Sequence, residues 1–228
     1  MNKRKTIGKQ IKAPKLPRHE LEQGLPDASM RDRSYYAQLE IAQSDLSGQV
    51  AEHISFDQAI FQRTRLDKTF LKKVQVLDSR LSACDLANAE WKEMSLCRVE
   101  LLGCHITGWQ CSEAQLQDVL FKECGGSFAQ FALSSFKSVC FENCDLEEAN
   151  FMDVDLSKTS FINCNLRGAD FTGTTLASVD LRSSQLDGAR LGPRELKGAI
   201  INPSQALAFV RSLGISVTSL DELAETIS

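Results

Sequence analysis

The stretch CDLEEANFMDVDLSKTSFINC, Cys144 to Cys164, returns a large apolar residue every fifth position, at Leu146, Phe151, Leu156 and Phe161. A helix repeats near 3.6 residues and a strand every 2, so neither regular element produces this period. Taken outward in both directions, the register holds from Ile41 to Ile201: of 33 positions spaced five apart, 30 are Leu, Ile, Val, Phe or Trp. The exceptions are Ala51, Cys111 and Gly126. Two places before each large residue, 27 of 33 residues are Ala, Cys, Ser, Thr or Val.

Strand alternation explains the pairing of small with large. Residues two apart on an extended backbone point to the same side, so both face inward. The residue between them faces out and is often acidic or amidic, as at Asp45, Asp85, Asp145, Asn150, Asp155, Asn165, Asp170 and Asp180. The last two residues of each pentad must turn the chain. Glycine suits that task because it tolerates positive φ, and it occurs there at Gly48, Gly103, Gly108, Gly168, Gly173, Gly188 and Gly198.

A longer period sets how many turns close a lap. Cys84, Cys104, Cys124, Cys144 and Cys164 recur every 20 residues at the small inward place, and Phe121, Phe141 and Phe161 do so at the large one. Twenty residues make four pentads, so the coil has four sides and like residues stack on like. The expectation is an all-β solenoid of about eight coils, on the order of 38 Å long at strand spacing.

Units such as Ala-Asp-Phe-Thr-Gly (Ala169 to Gly173) and Cys-Asn-Leu-Arg-Gly (Cys164 to Gly168) resemble those of the pentapeptide-repeat family. The resemblance covers residues 39–201. It implies a right-handed quadrilateral β-helix, the handedness coming from the resemblance alone. It says little about function, because most members have no assigned role.

The organisation follows as a basic arm and N-terminal cap over 1–38, the β-helix over 39–201, and a helical C-terminal cap over 202–228. In that cap Asn202 and Pro203 read as N-cap and first helical residue, followed by an apolar stripe of Ala206, Leu207, Phe209, Val210 and Leu213 and a stop at Gly214. Ile215 to Val217 reads as a short strand, and Ser219 to Glu222 as the capping box of a second helix. The segment resembles the C-terminal helix that pairs subunits in dimeric family members, so Leu207, Phe209, Val210, Leu213 and Ile215 are candidates for a dimer contact or a lid. The arm carries Lys3, Arg4, Lys5, Lys9, Lys12, Lys15 and Arg18 with no acid. It reads either as a loose arm, with Leu16, Leu21 and Leu25 on the first coil, or as a contact for an acidic partner. Nucleic acid is disfavoured, since no aromatics interleave the bases. Val50, Ile60 and Phe70 lie at outward places and ask for cover. Gly126 leaves an inward place empty, which reads as filled by Phe128 swinging in, as a hinge or kink of the kind the resemblance to quinolone-protection members implies, or as a local packing defect.

At 228 residues with 43% hydrophobic and 25% charged side chains, the chain reads as one sizeable soluble domain. No apolar run approaches the roughly 20 residues of a membrane span, and the basic start lacks the apolar core of a signal peptide. A cytoplasmic location is therefore expected, with its eight cysteines reduced. The three histidines, His19, His53 and His105, have the wrong phase to meet an inward cysteine. Thiols arranged in parallel do not converge as zinc ligands must. The expectation is a protein with no catalytic residues, metal or cofactor.

Charge leaves two functional readings. Residues 39–201 hold 23 acids and 16 bases, and Glu142, Asp145, Glu147, Glu148, Asp153 and Asp155 follow one another without a base, a candidate partner-binding strip. Bases gather from Arg63 to Lys73, and 20-residue spacing puts Glu147, Arg167 and Asp187, and Lys122 and Glu142, in ladders of opposite sign. The leading reading is a scaffold that binds an unidentified protein through its rod surface. The alternative comes from the resemblance: some members imitate a DNA rod and bind type II topoisomerases such as DNA gyrase, inhibiting them or protecting them from quinolones. Magnitude weighs against it, because about 38 Å of duplex carries roughly 22 charges against a net −7 here. The unbroken register also lacks the looped insertions of quinolone-resistance members and sits closer to loop-free topoisomerase inhibitors of the mycobacterial type.

Overall fold

The structure, a computed structural model, describes residues 11–25 and 29–218. From Tyr35 onward the strands pair in parallel with partners 20 residues away, as in Tyr35↔Ser55, Ile41↔Phe61, Leu81↔Leu101 and Phe121↔Phe141. One outward column, Asp45, Arg65, Asp85, His105, Gly125, Asp145, Asn165 and Gln185, is joined by successive bridges into eight rungs, or seven complete laps. The coil is thus a four-sided parallel β-solenoid, and its walls can be named by their outward columns: the Asp45, Val50, Ser55 and Glu40 walls. Pairing begins a few residues before the sequence register suggested. Tyr36 already takes the large inward place, buried, with its hydroxyl accepting from the Arg31 amide at 2.8 Å.

From Arg33 to Ser178 each corner is a single residue in left-handed backbone, one place in five along the chain. Glycine fills it at the seven expected positions, but 25 non-glycine residues adopt it too, with φ from +47° to +68°. Glycine is therefore preferred and not required. Each such residue forgoes the roughly 1–2 kcal/mol by which L-residues favour the right-handed form. The inter-coil ladder holds them there: the corner amides of Phe128, Leu133 and Gly168 donate to carbonyls of Glu147, Met152 and Asp187 at 2.9, 2.9 and 3.0 Å.

Both inward places converge on one continuous core. Phe121, Phe141 and Phe161 stack at 4.6 and 5.2 Å between ring centroids, and Phe131, Phe151 and Phe171 at 5.2 and 5.1 Å. The two stacks meet edge to face, as Phe141 meets Phe151 at 5.9 Å. Identical residues stacked at the coil rise reach both aromatic geometries that ring quadrupoles favour.

The breaks in the register are solved locally. Cys111, small at a large place, shares its pentad with Trp109, large at a small place, and both are buried; the pentad exchanges its two volumes. At Gly126 the reading with Phe128 inside fails. Phe128 stays outside, 56% exposed, because its place in the pentad is a corner whose side chain projects outward. The missing volume is taken instead by Ile106 and Leu146 from the coils on either side, close enough that a Cβ on Gly126 would lie 3.0 and 3.1 Å from them. Pairing runs through without a kink.

At the C-terminal end a helix spans Pro203–Ser212 with the expected cap: Asn202 and Gln205 exchange side-chain-to-backbone hydrogen bonds as a capping box. Gly214 follows at φ +79°. The expected strand at Ile215–Val217 is absent; these residues form no strand and are exposed. The second helix of the sequence reading falls outside the described residues. Among the described residues no helix is long and apolar enough to cross a membrane.

Candidate interaction surface

Outward charges pair along the axis, coil to coil. Arg65 meets Asp45 at 2.8 Å, Arg80 meets Glu100 at 2.7 Å, Arg98 meets Asp78 at 2.6 Å, Lys122 meets Glu142 at 3.2 Å, Arg167 meets Asp187 at 3.5 Å and Arg190 meets Asp170 at 3.4 Å. Mostly exposed pairs of this kind contribute about 0–1 kcal/mol each. Their larger effect is on the field, since alternating signs cancel along the rod.

The six acids of the sequence strip do not share a face. They follow the chain around one lap: Glu142 ends the Glu40 wall, paired with Lys122. Asp145 sits on the Asp45 wall and accepts from Asn165 at 2.8 Å. Glu147 and Glu148 lie at the next corner, Asp153 at the one after, and Asp155 on the Ser55 wall, where it accepts from Ser157. A sequence run of acids becomes a belt around the rod, at right angles to a phosphate track.

One wall differs. Among the 34 corner places from Arg33 to Gly198, only Phe128 and Leu133 are large apolar residues, and they bracket the Val50 wall on a single coil. Both are exposed, Leu133 at 60%, and Met152 on the following coil adds to them. Directly above them, one coil on, stand Glu148 and Asp153, which have no ion-pair partner among the described residues. Their carboxylates lie over Gly168 and Gly173 of the coil beyond, within 3 Å of where any Cβ there would sit. The outward column between is amidic, Asn150 donating to Gln130 at 3.1 Å. An apolar centre with an acidic border and amides suits a partner offering an aliphatic or aromatic side chain beside Lys or Arg. Sequence reading passed over Phe128 as core and did not single out Leu133 or Met152; the signal was their phase at the corner place.

The thiol column is structural. Cys104, Cys124, Cys144 and Cys164 each donate to a carbonyl 23 residues back at 3.4 Å. Thr64 and Ser184 make the same bond at 2.7 and 3.3 Å and continue the column at its ends. Contacts with Cys124 and Cys84, together with burial, push the Cys104 thiol well up, and contacts with Cys124 and Cys164 do so at Cys144. Burial alone raises Cys111. Hydrogen bonds from the same two thiols act the other way on their partners and lower Cys124, Cys84 and Cys164, against a burial that opposes a thiolate in this apolar axis. Among the described residues no three His, Cys, Asp or Glu side chains converge as a metal site would. His53 occupies a corner at φ +55°, and His105 reaches Asp85 at 3.4 Å.

The described part of the arm lies against the rod, with Leu25 on the core as the packing reading had it. Lys3, Arg4, Lys5 and Lys9 lie outside the described residues. From Ile11 the chain runs along the corner between the Ser55 and Glu40 walls, with Lys12, Lys15 and Arg18 exposed and Leu16 half-buried. It holds on through backbone: the Lys15 amide donates to Asp78 at 2.9 Å and the Lys12 amide to Asp118 at 3.3 Å. Val50, which seemed to need cover, remains 66% exposed, because the arm takes another corner. Phe70 is half-buried with the Lys92 ammonium 5.1 Å from its ring centroid.

At the other end the candidate dimer residues lie loosely. Leu207, Leu213 and Ile215 are exposed, Phe209 and Val210 half-buried. Between the helix and the last coil is a cavity of about 440 Å³ lined by Leu186, Leu191, Leu196, Ile201 and Phe209 among others.

Comparison with known proteins matches residues 94–158 and 134–207 to a family model described as a pentapeptide repeat region, together half of the chain. No curated protein sequence matches. Among solved structures, a trypsin-treated form of QnrB1, a plasmid-mediated fluoroquinolone resistance protein, is 21% identical over 81% of this chain and 100% of its own, with a TM-score of 0.37. Full-length QnrB1 gives 18% identity over 86% and 99%, with a TM-score of 0.32. HetL from the cyanobacterium Nostoc sp. strain PCC 7120, involved in heterocyst differentiation regulation, gives 19% over 75% and 90%, with a TM-score of 0.30.

Proposed function

The chain belongs to the pentapeptide-repeat family, and from that premise we propose that it acts without catalysis, as a rigid scaffold that binds another protein through the Val50 wall at Phe128, Leu133 and Met152. One observation carries the reading: two successive corners of a single coil bear large, exposed apolar residues in left-handed backbone, where the remaining corner places carry glycine, proline, alanine or polar side chains. The left-handed corner itself is shared by the other corners and held by the ladder; what sets these two apart is exposed apolar bulk that the fold does not use, and clustered exposed apolar side chains mark sites of contact. Glu148 and Asp153 give the surface its sign and select a partner with basic residues beside its apolar anchor. The belt of Glu142, Asp145, Glu147 and Asp155 contributes less, since these side chains are spread around the rod or already bonded.

The topoisomerase reading needs a track of one sign along the axis, and axial pairing of opposite charges works against it. Photo-crosslinking decides the surface: benzoylphenylalanine at Leu133 should trap one defined protein in cells, while the same probe at Ser95 on the neighbouring wall should not. Equal products from both positions, or none from Leu133, would remove the proposal. A supercoiling assay with purified gyrase, with and without a fluoroquinolone, tests the rival: dose-dependent inhibition or protection, lost when Glu147, Glu148 and Asp153 become Lys, would replace the scaffold reading with the topoisomerase one.

A further inference from the structure

The corner that carries the arm has a built-in spacing. Four of its positions from Gln38 to Asp118 hold the arm: His19 Nε2 pairs with Gln38 Oε1 at 3.3 Å, Gln58 Nε2 donates to the Lys15 carbonyl at 2.9 Å, and Asp78 and Asp118 accept the Lys15 and Lys12 amides. Asp78 and Asp118 are 5% exposed, whereas most corner side chains face solvent. Arg98, on the coil between them, binds Asp78 with two hydrogen bonds of 2.6 Å and keeps that carboxylate ionised and aimed.

The occupant has a matching period. The segment Lys12-Ala-Pro14-Lys15-Leu-Pro17-Arg18 repeats a basic residue and a proline every three places. Proline fixes φ near the polyproline II value, and three residues of that helix advance ~9.3 Å. Two coils of the solenoid advance ~9.6 Å. Moving three residues along the arm, from Lys12 to Lys15, moves two coils along the rod, from Asp118 to Asp78, and the His19 side chain, four residues further, reaches Gln38 two coils beyond. Pro14 and Pro17 lack amides, and of the donors that remain Lys12 and Lys15 meet acceptors two coils apart.

From this coincidence of spacing we propose that the corner column Gln38, Gln58, Asp78 and Asp118 is a recognition edge for proline-rich, basic segments in polyproline II conformation, with Asp118 and Asp78 reading two backbone amides three residues apart and Gln58 and Gln38 reading a carbonyl and a side chain. The chain's own arm is its resident ligand, and a segment of the same three-residue repeat on a partner protein enters by displacing it. Selectivity resides in the amide spacing, since the Lys12 and Lys15 ammonium groups are exposed. The edge lies diagonally across the rod from Phe128, so it does not depend on the Val50 wall.

The test uses a fluorescent peptide of residues 11–19 against the full chain. Lys12→Pro with Lys15→Pro removes the two amide donors from the resident arm and leaves the rod untouched. Because a resident ligand lowers apparent affinity by the fraction of edges it occupies, this variant should bind the peptide about tenfold more tightly than the parent chain. A peptide of the same composition with its prolines moved out of the three-residue spacing should bind about tenfold more weakly. Asp78→Asn with Asp118→Asn should weaken binding of the regular peptide. Equal binding of regular and scrambled peptides would reduce the edge to general charge attraction and overturn the proposal, as would absence of binding to the variant with the disabled arm.

Discussion

Replacing Phe151 with alanine removes a ring that is fully buried, stacked on Phe131 and Phe171 at 5.2 and 5.1 Å and in edge contact with Phe141 and Phe161 at 5.9 and 5.5 Å. Burial and the cavity left behind cost about 3–5 kcal/mol for Phe→Ala. Four aromatic contacts, each contributing about 0.5–1.5 kcal/mol beyond area, put this site at the top of that range. For a chain of this size the loss lowers Tm by about 8–20 °C. The paired control is Phe128→Ala, the same chemical change at a corner that is 56% exposed; there the effect stays within about 0.5 kcal/mol. Thermal unfolding followed by far-UV circular dichroism measures both. Each coil touches only its neighbours, so Phe151→Ala should also broaden the transition by uncoupling the two halves of the rod. A loss at Phe151 below about 1 kcal/mol would refute the assigned phase, and so would a loss at Phe128 in the range of a buried phenylalanine.

Gly173→Ala at φ +77° pushes its methyl into the Asp153 carboxylate, whereas Gly24→Ala at φ +76° meets nothing within 4 Å. The first should destabilise by about 0.5–1.5 kcal/mol more than the second, the cost of turning the Asp153 carboxylate aside from its rotamer, with Asp153→Ala restoring most of the difference; equal losses at both glycines would contradict the contact. Of the eight cysteines only Cys97 is not buried. Titration of the native chain with a thiol reagent should thus show one fast-reacting group and seven that react only on unfolding, and two or more fast thiols would open the column. Hydrogen bonds from Arg98 and Arg182 hold the Asp78 and Asp180 carboxyls below their usual range. Their stabilisation is complete above the unfolded value near pH ~3.9 and disappears as pH falls through the lower folded values. Tm should therefore fall on acidification below about pH 4, less steeply in Arg98→Gln, and an unchanged slope in that variant would dismiss the Asp78 contribution.

What the sequence revealed and what it withheld divide along one line. Everything that depends on phase along the axis was legible: the thiol column, the phenylalanine stacks, the Lys122 and Glu142 pair and the Asn202 cap. What depends on direction around the rod was not. Phe128 was placed inside because an empty inward place at Gly126 invited it, yet the neighbours Ile106 and Leu146 could fill that space without moving any backbone. The acids from Glu142 to Asp155 looked like one patch because they are close in sequence, and four walls separate them. The arm read as loose or as a partner contact because its bases have no acids among them to pair with. Its three-residue repeat becomes meaningful only beside a rod whose rise it matches. Leu133 carried a signal in its phase that a count of large residues passed over.

The pairing of every residue with one 20 positions away has a consequence for how such a chain can change length. A duplication of twenty residues inserts a lap and leaves each later side chain above its former neighbour. A gain or loss of five turns everything downstream by a quarter circle, carrying Glu148 and Asp153 away from Phe128 and Leu133, and the arm's acceptors off their edge. Growth by whole laps preserves the surface while growth by pentads rewrites it, so descendants of this sequence should differ in length mainly by multiples of twenty.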